Sequence, residues 1–203
     1  MNILRGEMEI KMNRIVIASN NAHKIKEFKE ILKEYEILSL KDINFVNEII
    51  EDGKTFEENA IIKAKTVHDY LKENGLDYIV ISDDSGLCVD SLNGNPGIYS
   101  ARYAKEHDDQ ANRNKLLKDI EGKDRSAYFS CTIVAYYPDD KYKIFEGKTY
   151  GNITYEEIGK KDFGYDCIFY SNDLNKTFGE ATEEEKNSVS HRGRALEKMI
   201  KEL

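Results

Sequence analysis

Three cysteines, Cys88, Cys131 and Cys167, are all that the 203 residues contain, and no Cys-x-x-Cys pair is among them. An odd, widely spaced set excludes a disulfide framework and a cysteine-based zinc site. It fits free, buried thiols in a reducing compartment, so a cytoplasmic protein is expected. The four histidines, His23, His68, His107 and His191, show no metal-ligand spacing. No apolar run approaches the ~20 residues of a membrane span. Residues 1–11 lack the continuous apolar segment of a signal peptide. They read as an extension ahead of one domain over 12–203. Positive charge is not in excess either: 38 acidic residues against 30 Lys and Arg leave a formal net charge of -8. That excludes a broad basic face for nucleic acid but leaves room for a small anionic ligand held by a local cation cluster. A Gly-x-x-x-x-Gly-Lys-Ser/Thr loop is missing, which argues against a P-loop NTPase. Internal repeats and low-complexity segments are absent.

What the chain does have is a composition for folding and one unusual pentapeptide. Hydrophobic residues at 40% and charged residues at 33% suit a soluble globular protein with a real core. The pentapeptide is Ser82-Asp83-Asp84-Ser85-Gly86, directly after the apolar run Tyr78-Ile79-Val80-Ile81. That run predicts a buried strand, with the two aspartates at its carboxyl end. Adjacent carboxylates raise each other's pKa unless a cation or hydrogen bonds compensate. Asp, Ser and Gly are also ordinary turn formers, so a functional site and a polar turn both fit this stretch taken alone.

The chain in order alternates strands and helices. Arg14–Ser19 is a short β-branched run, the pattern of a strand buried on both faces. Ser19-Asn20-Asn21-Ala22-His23-Lys24 follows as a strand-to-helix turn, with Ile25, Phe28, Leu32 and Tyr35 on one helical face. The start of that helix offers backbone N–H groups and Lys24 to a phosphate; taken alone, an ordinary cap with a solvated lysine is the plainer reading of this stretch. Glu36–Leu40 is a short strand and 41–54 an acidic loop. Thr55 opens a second helix whose stripe runs through Phe56, Ala60, Ala64, Val67 and Leu71, and Gly75 stops it. Strand, helix, strand, helix, strand predicts an α/β sheet with parallel pairing, in which ligands bind beyond the strands' carboxyl ends. Ser19–Lys24 and the aspartates are thereby placed as neighbours.

Leu92–Gly97 is rich in turn residues, and Asp108–Ile120 reads as helix. The character changes near residue 123. Ala127–Tyr137 alternates, Pro138-Asp139-Asp140 turns, and a return strand continues through glycine breaks to Thr154, predicting an antiparallel hairpin in a second lobe. Phe163-Gly164-Tyr165-Asp166 could sandwich a flat base and accept its ring N–H, or supply core aromatics and a turn. Thr182 with Glu185 forms a capping-box pattern. Lys186, His191 and Arg192 then gather cations where a solvated helix face is the plain alternative. Leu196, Met199, Ile200 and Leu203 stripe a last helix.

Taken in order, five elements resemble the inosine triphosphate pyrophosphatase family. They are Ser19-x-Asn21-x-x-Lys24-x-x-Glu27; Thr55-Phe56-x-x-Asn59-Ala60-x-x-Lys63-Ala64; Asp83-Asp84-Ser85-Gly86-Leu87 with Leu92-x-Gly94-x-Pro96-Gly97-Ile98-Tyr99-Ser100-Ala101-Arg102-Tyr103; Phe163-Gly164-Tyr165-Asp166; and Glu184-Glu185-Lys186-Asn187-x-x-Ser190-His191-Arg192-Gly193. The resemblance covers the chain from about Arg14 to its end. It implies an elongated α/β fold, a mixed twisted sheet with flanking helices, and two lobes around a central nucleotide-binding cleft. It also implies a homodimer and Mg²⁺-dependent hydrolysis of ITP, dITP and XTP to the monophosphate and pyrophosphate. Under it Asp84 serves metal and water chemistry and Asp83 supports it. Ser19 to Lys24 and Ser85 hold phosphates, and Lys186 takes up leaving-group charge. Phe163, Gly164, Tyr165 and Asp166 receive the base, and His191 and Arg192 donate to its 6-oxo group. Two positions depart from the family pattern. Cys167 stands where a proline is common, and Ile50 stands at the usual spacing of the second metal carboxylate, so Glu51, one residue later, is taken as that ligand. A pyrophosphatase for other modified nucleotides, or a nucleotide-binding regulator without catalysis, are the alternatives.

Overall fold

The computed structural model describes residues 14–106 and 108–203; the expected extension at 1–11, the domain start at residue 12 and His107 lie outside the described residues. Strand β1 (Arg14–Ile17) buries Ile15, Val16 and Ile17 completely, as a β-branched run flanked on both faces must. It pairs in parallel with β2 (Glu36–Leu38) on one side and β3 (Ile79–Val89) on the other. The crossovers are helices α1 (Ala22–Ile31) and α2 (Phe56–Glu73). Helix α2 buries Ala60, Ala64, Val67 and Leu71, the expected stripe. It ends at Gly75, which takes φ +67° while the Leu76 N–H reaches back to the Leu71 carbonyl at 2.9 Å. Helix α3 (Asp109–Asp119) is capped by Asp108.

β4 (Ser126–Tyr136) and β5 (Tyr142–Ile153) are neighbours in the sheet, joined by a turn in which Asp140 takes φ +65°. β6 (Phe169–Ser171) and β7 (Lys176–Thr177) add antiparallel pairs. Among the described residues seven strands form one mixed sheet in the order β2-β1-β3-β4-β5-β6-β7, open at β2 and β7. Helices α4 (Glu183–Val189) and α5 (His191–Ile200) close the chain, and the Thr182–Glu185 capping box is present.

The chain forms two compact units. One comprises the described part of Met1–Asp84 with Thr132–Phe145; the other comprises Ser85–Cys131 with Glu146–Leu203. Strands β3, β4 and β5 each run from one unit into the other. The first unit's core packs Val16, Leu40, Phe45, Val67, Leu71, Val80 and Val134. The second's packs Leu87, Val89, Leu116, Ile120, Phe129, Phe169 and Phe178. All three cysteines are buried and none is in a disulfide.

Several local expectations are corrected. The two aspartates do not end a strand: β3 continues through Ser85 and Gly86 to Val89. Gly86 lets the Gly97 loop lie against this strand, because a Cβ there would stand 2.2 Å from the Gly97 carbonyl oxygen. The glycines of the return strand are not breaks either. β5 is continuous, and Gly147 and Gly151 make room for the backbone of His191 and Tyr170. The run from Lys186 to Arg192 is not a solvated face. Ser190 ends α4 and caps α5, and His191 and Arg192 are buried, Arg192 at 1% exposure. Tyr35 falls beyond α1, and Leu203 beyond α5.

Candidate active site

In the first unit the polar geometry centres on Asp84. Its Oδ1 accepts from Lys63 Nζ at 3.1 Å and its Oδ2 from Asn59 Nδ2 at 3.2 Å. Asn59 and Lys63 are four residues apart on α2, so they share one helical face. Ala60 and Ala64 beside them are wholly buried, which draws these two polar side chains inward as well. The Ser82 hydroxyl, donating to the Ala60 carbonyl at 2.5 Å, fixes the helix to β3. Lys63 Nζ also donates to Glu51 Oε2 at 2.6 Å, so two carboxylates converge on one ammonium. Asn59 is itself held, its Oδ1 accepting from the Gly53 N–H at 2.9 Å. A Cβ at Gly53 would stand 2.6 Å from that same oxygen.

Burial lifts the Asp84 carboxyl above its ordinary value, against the opposing pull of Lys63 and Lys24. Burial alone would lower Lys63, but Asp84, Glu51 and Asp83 outweigh it and hold the ammonium above its ordinary value. The lysine is therefore charged, and Asp84 is a carboxylate of raised basicity.

Asp83 faces the other way along the strand, and its Oδ2 lies 3.1 Å from Lys24 Nζ. The expected proximity of the β1–α1 turn to the aspartates is thus present. The turn carries the expected helix cap: Asn21 Oδ1 accepts from the His23 and Lys24 N–H groups at 3.0 and 3.2 Å, and Ser19 Oγ accepts from the Asn21 N–H at 3.1 Å. Asn20, Asn21, Ala22 and His23 are exposed.

The second unit gathers the remaining expected residues. Lys186 Nζ lies 2.7 Å from Asp166 Oδ2 and 5.1 Å from the centroid of the Phe163 ring, a cation–π arrangement. Tyr165 donates its hydroxyl to the Ser100 carbonyl at 2.8 Å, and burial pushes its pKa up. Arg192 Nη2 donates to Ser85 Oγ at 3.1 Å, and the His191 ring stacks on Phe129 at 4.8 Å. Ser190 supports both neighbours, its Oγ accepting from the Gly193 N–H at 3.0 Å.

Asn59, Lys63 and Gly53 carry no assigned role in the sequence reading. The signal for the first two was present: polar residues at i and i+4, each immediately before an alanine of the buried stripe. Among the described residues no group of three or more His, Cys, Asp or Glu side chains is gathered to hold a metal. Asp84 and Glu51 form a two-carboxylate arrangement around Lys63 instead.

An open mixed α/β sheet with an acid–lysine centre on strand β3 defines the class to which this protein belongs. Within that class its membership is specific: the sequence profile of the Ham1 family matches residues 15–202, and the chain belongs to that family. A dITP/XTP pyrophosphatase of Clostridium perfringens is 51% identical over 195 residues, covering 93% of this chain and 96% of its own. One of Bacillus subtilis is 46% identical over 200 residues, covering 96% and 98%. The structure of the Staphylococcus aureus Ham1 protein superposes with a TM-score of 0.80 at 43% identity, over 92% of this chain and 95% of that one. A HAM1 protein from Coxiella burnetii gives a TM-score of 0.81 at 39% identity, over 95% and 100%.

Proposed function

We propose that the chain is a nucleoside-triphosphate pyrophosphatase that converts dITP, XTP or ITP and water to the nucleoside monophosphate and pyrophosphate. The observation that carries this reading is the convergence of Asp84 and Glu51 on Lys63, in a chain 51% identical to a dITP/XTP pyrophosphatase. Basic carboxylate and cation lie together as hydrolysis of a polyanion requires.

A divalent cation, Mg²⁺ in this reading, fits the donors present. Two hard carboxylate oxygens already point at one positive charge, and Mg²⁺ commonly takes one or two carboxylates plus substrate phosphates and water. Asp84 and Glu51 would hold it. Bound there, it would supply charge neutralisation and polarisation at the reacting phosphate. Asp84, whose basicity burial raises, orients the attacking water and accepts its proton. Lys63 and Lys24 offset the charge that builds on departing pyrophosphate. Asp83 holds Lys24 in place, and Ser19 and Ser85 offer hydroxyls to phosphate oxygens.

Base recognition falls to the second unit. Phe163 stacks on the base and Asp166 accepts a ring N–H. Lys186, paired with Asp166 and set against Phe163, is assigned to the base side and not to the leaving group. His191 and Arg192 donate to the 6-oxo group. Adenine presents a donor at that position, so a buried donor facing it is left unpaired, a penalty of about 1–3 kcal/mol. The reading includes a cytoplasmic homodimer, the dimer as the family resemblance implies. No helix among the described residues is long and apolar enough to cross a membrane.

The test is pyrophosphate release in Mg²⁺ from ITP, XTP and dITP against ATP and GTP. Faster release from the first three supports the reading. Equal rates on ITP and ATP overturn the base selectivity, and tight nucleotide binding without release overturns the catalytic assignment.

A further inference from the structure

We propose that Asp109 and Arg113, side by side on α3, are positioning residues for base recognition, acting by clamping the Gly164 backbone. The inference rests on the assignment of Phe163 and Asp166 to the base. The Gly164 N–H donates to Asp109 Oδ2 at 2.8 Å, and its carbonyl accepts from Arg113 Nη1 at 2.8 Å. Both hydrogen-bonding groups of one residue are therefore held by one helix, from positions four apart on the same face.

The clamp is built rather than incidental. Arg113 is 3% exposed, and a buried guanidinium must place its donors. Nε donates to Glu157 Oε1 at 2.7 Å and Nη2 to Gln110 Oε1 at 3.0 Å. Gln110 returns a hydrogen bond to Glu157 at 2.8 Å, and Lys161 pairs with the same carboxylate. The fork is thus oriented by Glu157 and Gln110, and an Nη1 N–H addresses Gly164.

The segment needs such a device. Tyr165 and Cys167 belong to the apolar core, but Phe163, Gly164 and Asp166 are only half-buried. Little apolar burial fixes the two residues that would meet the base, and Gly164 takes φ +50°, a conformation open to alternatives in a glycine. Polar restraint from α3 on Gly164 therefore adds to the Lys186 contacts in setting where the Phe163 ring and the Asp166 carboxylate stand. Placement errors of about 1 Å at such positions are costly to recognition.

Arg113→Lys and Arg113→Met test this, with Asp109→Ala as a second removal that leaves the Arg113 network whole should the arginine variants fail to fold. For each, KM and kcat on ITP, the ITP-to-ATP ratio of kcat/KM, the affinity for inosine monophosphate by calorimetry, and Tm are measured. The expected result is a rise in KM of about tenfold, a parallel loss of monophosphate affinity, a reduced selectivity ratio, and kcat within about twofold of the parent. Unchanged KM and monophosphate affinity with only a lower Tm overturns the proposal, as does a fall in kcat at constant KM. A parent protein that does not distinguish ITP from ATP overturns the base assignment itself. A selective parent with indifferent variants overturns the clamp alone.

Discussion

The Lys24 ammonium stands 3.1 Å from the Asp83 carboxylate, whose side chain is wholly inaccessible to solvent while that of Lys24 is 16% exposed. The pair ties the start of α1 to the middle of β3. Removing one member of a buried pair leaves the other without its counter-charge, an effect of about 3–5 kcal/mol. Asp83→Ala is therefore expected to lower Tm strongly. Asp84→Asn keeps the shape of the side chain and an acceptor for Lys63, so it should keep Tm close to the parent while pyrophosphate release disappears. Thermal unfolding and turnover on the two variants separate support from chemistry. An active Asp84→Asn protein would remove Asp84 from the role of base.

Lys63 holds Glu51 at 2.6 Å and Asp84 at 3.1 Å, a bridge that a neutral side chain cannot make. In Lys63→Met the two carboxylates face each other with no cation between them. In chelator the variant should unfold at lower temperature than the parent. Adding Mg²⁺ should raise its Tm by more than it raises the parent's, because a ligand that binds only the folded state stabilises by mass action and here meets no competing ammonium. Turnover should fall about a hundredfold or more, as loss of an oriented charge in a phosphoryl-transfer site does. Equal Mg²⁺-induced shifts in both proteins would contradict the bridge as the place of the metal.

Glu157 is held at about 2, first by the ion pair with Lys161 and then by Arg113 and Gln110, against an ordinary value of 4.5. A carboxyl lowered on folding contributes stability above its unfolded value, and that contribution is lost as pH falls through its folded value. The window runs from about 4.5 down to about 2. Tm of the parent should fall across it, and Glu157→Gln should flatten the slope there while starting from a lower Tm at neutral pH. Matching slopes in the two proteins would mean that other groups carry the acid sensitivity.

The sequence made the parallel half of the sheet legible because β-branched runs and the α2 stripe are strong periodic signals; Ile15–Ile17 and Ala60–Leu71 went where their spacing put them. Asp84, Lys24 and Glu51 were legible as candidates from charge and resemblance. What stayed hidden depended on contacts far apart in the chain. Arg192 is one charge in a polar run until Ser85, 107 residues away, accepts from it. Gly147 and Gly151 look like strand breaks until the backbones of His191 and Tyr170 come close enough to need them. Arg113 gave no local sign, since its partners Glu157 and Gly164 lie 44 and 51 residues on.

Gly86 is the sharpest of these hidden constraints. An alanine Cβ there would stand 2.2 Å from the Gly97 carbonyl oxygen and 2.6 Å from Ser100 Oγ. Ser100 Oγ is already committed, donating to the Gly97 carbonyl at 2.6 Å and accepting from the Leu87 N–H at 2.9 Å. The methyl group therefore has to push the loop off the strand, and overpacking of this kind costs about 1–3 kcal/mol. The effect should reach the base segment, because the Ser100 carbonyl accepts from the Tyr165 hydroxyl at 2.8 Å. Gly86→Ala is expected to lower Tm and to raise KM for ITP together. A fall in Tm with KM unchanged would show that Tyr165 keeps its place without Ser100, leaving the Gly164 clamp on α3 as the restraint that matters.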